Sequence, residues 1–111
     1  MFNFPRWRAF LEARSADLTK EGMQVRVAGG SQRRPKSGMI LETVLNGMYG
    51  GFENWSTGET DYTIMPVPSR TKQPLVHKWG LILSDETFEA TFDEFMGEFR
   101  RLAIPHNANP K

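Results

Sequence analysis

Five large apolar side chains near the end of the chain, Phe88, Phe92, Phe95, Phe99 and Leu102, are spaced by four, three, four and three positions. That spacing puts all five on one stripe of an α-helix and predicts a helix from Glu86 to Leu102. The stripe must be buried, so the phenylalanines are expected to cap a β-sheet core. Ser84 or Asp85 can cap the helix start. Acids crowd its first turn and Arg100-Arg101 its last, as the helix dipole favours. Gly97 is the one weak position inside it. Pro105 stops the helix, which predicts a domain over residues 1–105 and a flexible tail over 106–111.

The rest of the chain supplies the sheet. Trp7, Phe10, Leu11 and Leu18 recur near helical spacing behind Pro5, so residues 5 to about 20 read as a first helix, entered through Phe4 and ended by Gly22. Met23 to Ala28 alternates apolar and polar, as a half-buried strand does. Met39 to Leu45 is a second strand. Asn46-Gly47 is the strongest short hairpin signal, and Met48 to Trp55 is the returning strand. Its Gly50-Gly51 pair predicts a bulge or a close backbone approach. Thr60 to Met65 alternates as the next strand. Pro66, Pro68 and Pro74 bracket a loop. Val76 to Leu83 is the last strand, with His77, Trp79, Leu81 and Leu83 on one face. It is apolar on both faces, which predicts a central or helix-covered position. The fold class is α+β: a single domain with a mostly antiparallel four- to five-stranded sheet and an N-terminal and a C-terminal helix packed on it.

A chain of 111 residues can bury one core without staples. It has no cysteine, which excludes disulfides, thiolate metal sites and a cysteine nucleophile. No apolar run approaches the ~18 residues of a membrane span, and the N-terminus lacks a signal-peptide pattern. A soluble cytoplasmic chain is expected. The net charge of +1 hides an asymmetry: residues 1–40 carry eight Lys and Arg against three acids, and residues 41–111 six against ten. Such polarity steers charged partners.

Catalytic patterns are sparse. Gly30-Ser-Gln-Arg-Arg-Pro-Lys36-Ser37 echoes a phosphate-binding loop, but Pro35 stands where the second glycine must offer an N–H to phosphate. It reads as a solvated basic loop. His106 is expected in the tail, and His77 at a core edge or on the surface with no second metal ligand beside it. Glu59 and Asp61 share a strand face, with Glu53 expected across the hairpin. Three carboxylates there could hold a divalent cation or do acid–base work, but the pattern equally fits the solvent face of an antiparallel sheet, the favoured reading. The serines sit at turns and caps. No cofactor is implied and no enzyme is expected.

Two surfaces remain for binding. The closing helix carries Asp85, Glu86, Glu89, Asp93, Glu94 and Glu98, with like charges four apart that repel. Its acidic face suits a basic protein partner, with Glu86, Glu89, Asp93, Glu94 and Glu98 as the first candidate contacts. The hairpin region holding Tyr49, Glu53, Glu59 and Asp61 is the second. An alternative reading uses Arg6, Arg8, Arg33, Arg34 and Lys36 with Trp7 to contact nucleic acid, as an accessory protein of phage or mobile-element origin.

The layout also resembles the small bacterial immunity proteins of contact-dependent and polymorphic toxin systems. The matching features are an opening helix with Trp7 and a meander with the Asn46-Gly47-Met48-Tyr49 turn. A Gly58-Glu59 turn, a strand bearing Trp79 and a closing helix with Phe92 and Phe95 follow. The resemblance implies a cytoplasmic, non-enzymatic protein that binds one toxin domain and blocks its active site. It carries over no catalytic residue and no contact by position.

Overall fold

The computed structural model describes residues 2–30, 37–67 and 74–104. The elements run α1 (Phe4–Lys20), β1 (Gln24–Gly29), β2 (Gly38–Leu45), β3 (Met48–Trp55), β4 (Glu59–Pro66), β5 (Val76–Ile82) and α2 (Phe88–Leu102). The expected tail, and residues 31–36 of the basic loop, lie outside the described residues.

Local chemistry sets the helix ends. The Asn3 side chain accepts from the Arg6 N–H at 3.2 Å, and Pro5 occupies the first turn, where a missing N–H is harmless. Phe4 is not merely an entry residue. It is the first helical residue and is buried with Trp7, Leu11 and Leu18.

The strands form one open antiparallel sheet in the order β1-β2-β3-β4-β5. Asn46 and Gly47 take positive φ of 51° and 77°, as a two-residue hairpin turn requires. Alternation sends Met39, Leu41, Phe52, Tyr62 and Ile64 to one face, where all five are buried. Both helices pack on that face, as the sequence predicts.

Phe52, at the centre of β3, is where they meet. Its ring lies 5.6 Å from Phe88 and 5.2 Å from Phe92, both edge-on, and 5.3 Å from Phe95. Trp7 of α1 stacks on Phe88 at 4.4 Å, which joins the two helices. Beside this cluster a β-carbon on Gly50 would stand 2.8 Å from the Phe99 ring and 3.0 Å from Phe95. On the other side of the sheet, one on Gly51 would stand 2.7 Å from the Tyr49 hydroxyl. The glycine pair is therefore a close approach on both faces. The β2–β3 and β3–β4 registers run through it without a bulge.

Three expectations are corrected. First, α2 starts at Phe88 rather than Glu86, with Thr87 at the cap position. Asp85 faces elsewhere: one carboxylate oxygen accepts from the Asn3 backbone N–H at 2.8 Å and from the Trp7 indole at 2.7 Å. Those bonds hold its carboxyl below the ordinary aspartate range, the Asn3 bond foremost. Second, β5 is an edge strand rather than a central one. Third, its two faces are not those the alternation gives. Tyr62 pairs with Lys78 and Thr60 with Leu81, so Trp79 and Gly80 together oppose Asp61 in a bulge. Gly80 has φ +74° there, and its N–H donates to Asp61 Oδ1 at 2.9 Å. Beyond the bulge the parity flips. Val76 and Leu81 pack on the core, while His77, Trp79 and Ile82 are exposed.

Two glycines predict opposite outcomes. Gly50→Ala forces the buried Phe95 and Phe99 rings aside and should destabilise the domain by about 1–3 kcal/mol. Gly97, with open space at its β-carbon position, should gain up to ~1 kcal/mol as alanine. Urea denaturation of both variants reads the contrast. Asp85→Ala strands the Trp7 indole N–H and should lower the thermal midpoint, whereas Asp85→Asn, which keeps an acceptor oxygen, should restore most of it.

The uncovered sheet face as candidate functional site

Because both helices lie on one side, no described element covers the other face of the sheet. Alternation places Arg26, Ile40, Glu42, Val44, Tyr49, Glu53, Trp55, Glu59, Asp61, Met65 and His77 there, with Trp79 and Ile82 from the bulged edge. Trp79 and Ile82 are each 70% exposed, the largest exposures among the chain's exposed large hydrophobics. Three shallow depressions of about 230, 180 and 210 Å³ open along this side, bordered in turn by Glu42 and Tyr49, by Trp55 and Asp61, and by Ile40 and Glu53.

Its charges fall into two groups. Glu42 is satisfied: Tyr49 Oη donates to it at 2.7 Å across Gly51, and the Arg26 guanidinium pairs with it. The tyrosine bond, with help from Arg26, holds Glu42 below the ordinary glutamate range. Burial and the neighbouring carboxylate push the Tyr49 hydroxyl up. Glu53 differs. It stands opposite Asp61 in the β3–β4 register, and no cation among the described residues pairs with it. Burial raises its carboxyl above the ordinary range, and the charges of Asp61 and Glu42 raise it further. The hairpin residues of the sequence reading therefore share one face, but Tyr49 is bound to Glu42 rather than to the Glu53–Asp61 pair. Among the described residues no three His, Asp or Glu side chains form a group that could hold a metal ion.

The acids of α2 are arranged otherwise. Glu89 and Asp93 flank Arg14 of α1 at 3.4 and 3.7 Å. On the opposite flank Glu94 accepts from Lys78 at 2.9 Å and from the Tyr62 hydroxyl. Glu98 meets Arg101 at 2.5 Å. Glu86 is exposed and makes no such contact among the described residues. The like-charge repulsion read along the helix is thus offset by cations, two of them from other elements. Tyr62 and Lys78 hold Glu94 below the ordinary glutamate range, and burial and Glu94 push the Tyr62 hydroxyl up to about 12. Arg33, Arg34 and Lys36 of the nucleic-acid reading lie outside the described residues.

The feature that sequence reasoning missed is the exposure of Trp79 and Ile82 on an edge strand. A glycine inside a strand pattern, here Gly80, is the signal for the bulge that turns Leu81 inward and Ile82 outward. The chain matches no family model, no curated protein and no solved structure. Among the described residues no helix is long and apolar enough to cross a membrane.

The pH dependence of stability should separate the two kinds of glutamate. Glu53 titrates higher folded than unfolded, so its ionisation opposes folding as pH rises through and above the ordinary glutamate range. Glu53→Gln should therefore raise the thermal midpoint at pH 7, and the gain should vanish in acid. Glu94 is shifted down, so its contribution is present at neutral pH and lost as pH falls through and below that range. Glu94→Gln should lower the midpoint at pH 7 and converge with wild type in acid. Thermal melts across pH 3–8, a range of roughly five decades in proton activity, read both signs.

Proposed function

We propose that the protein is a non-enzymatic protein-binding module, and most concretely an immunity protein that binds and neutralises a cognate bacterial toxin in the cytoplasm. One observation carries the reading: a sheet face that no described element covers, which holds an exposed tryptophan and isoleucine together with Glu53 and Asp61, two carboxylates set opposite each other. Five strands about 4.8 Å apart, up to eight residues long at about 3.3 Å each, make a platform of roughly 600 Å². That approaches the ~800 Å² that each partner contributes to a standard interface. Its rigidity helps, since a sheet backed by an aromatic core loses little freedom on binding. The resemblance in layout to immunity proteins gives the partner its class.

The test is co-expression with the polypeptide encoded by the adjacent gene. The expected outcome is co-purification as a stable complex, and restored growth when that polypeptide alone arrests the cell. If no neighbouring product either binds or is neutralised, the proposal fails.

A further inference from the structure

We infer that the uncovered sheet face is the contact surface and receives a basic surface of the partner, with an arginine or lysine side chain seated over Glu53 and Asp61 against the Trp79 indole. The inference rests on the protein-binding reading and adds the place and the chemistry of the contact.

Charge complementarity carries it. Arg26 is the one Lys or Arg described on this face, and Glu42 already holds it. Glu53 and Asp61 are left facing each other across two strands, and like charges directly opposite in an antiparallel pair repel. Asp61 spends one oxygen on the Gly80 N–H. Glu53 has no partner among the described residues. A cation arriving between them relieves a repulsion that the described residues leave standing, and a guanidinium can bond both carboxylates at once. Burial first, and then the charges of Asp61 and Glu42, push the Glu53 carboxyl up.

The apolar half of the contact is adjacent. Trp79 and Gly80 together stand opposite Asp61 at the bulge, and Trp79 is 70% exposed. An indole face beside a carboxylate pair suits a cation with an apolar stem. Tryptophan and arginine also recur where interfaces concentrate their binding energy. The other candidate surfaces are less apt. The α2 acids hold intrachain cations. The β5 edge is blunted by its bulge and by Lys78, devices that discourage strand addition.

The test is an NMR titration of the ¹⁵N-labelled full chain with acetyl-triarginine-amide at low ionic strength. Saturable shifts should centre on the Glu53, Asp61, Trp79 and Gly80 amides and the Trp79 indole. Triglutamate should produce none. Trp79→Ala, and separately Glu53→Gln with Asp61→Asn, should each weaken binding at least fivefold while keeping the dispersed spectrum of the fold. Asp61→Asn retains an oxygen for the Gly80 N–H. Shifts centred on Glu89, Asp93, Glu94 and Glu98, shifts that never saturate, or a response to triglutamate would overturn the inference. So would concentration-dependent shifts at the same residues without peptide, which would make a second copy of the chain the occupant. A neighbouring polypeptide that co-purifies while triarginine fails would remove the basic contact and leave the protein-binding reading standing. Triarginine binding without any protein partner would do the reverse.

Discussion

The contact of the α2 phenylalanines with Phe52 at the centre of the sheet is the interaction on which the rest depends. Phe88, Phe92 and Phe95 all touch that one ring, and Phe88 passes the contact to Trp7 of α1. Each buried phenylalanine contributes about 1.5–3 kcal/mol relative to an exposed one. Both helices are drawn to the same side by it. No described element covers the opposite side for that reason.

The two faces are not independent. The sheet is thin at Gly50-Gly51, where α2 presses in from one side and the Tyr49 ring crosses on the other. Absence of a side chain at Gly51 lets Tyr49 reach Glu42, and that bond together with Arg26 settles the charge of the β1 side. Glu53, on the adjacent strand β3, has no such partner among the described residues. The asymmetry between the two glutamates follows from which of them has Tyr49 and Arg26 in reach.

Much of the fold is readable from the residues. The phenylalanine spacing, the Asn46-Gly47 turn and the alternation of Met39–Leu45 and Thr60–Met65 are local patterns, and each states its own geometry. What is not readable is non-local. Nothing near Asp85 indicates that its partner is Asn3, so it reads as a cap for the helix that follows. The acids of α2 read as an unrelieved cluster because Arg14 and Lys78 come from other elements. On β5, strict alternation put Trp79 with Leu81 and Leu83. One extra residue at the bulge reversed the parity, and the strand that looked apolar on both sides is an edge. The candidate site was half visible for the same reason: its carboxylates and the side of Trp79 follow from alternation, while the move of Leu81 off that face and of Ile82 onto it depends on a bulge.

The bonds from Asp85 to Asn3 and Trp7 span 82 and 78 positions of the chain. During synthesis the first helix leaves the ribosome long before its anchor exists, and the Trp7 ring has no Phe88 to stack on until the last element follows. The N-terminal segment therefore gains its last contacts only once α2 has formed, although α1 also packs on β1 and β2. These bonds tie elements far apart in the chain and raise the contact order of the fold. A chain ending short of residue 85 would leave the Trp7 indole without its Asp85 acceptor and without the Phe88 ring it stacks on.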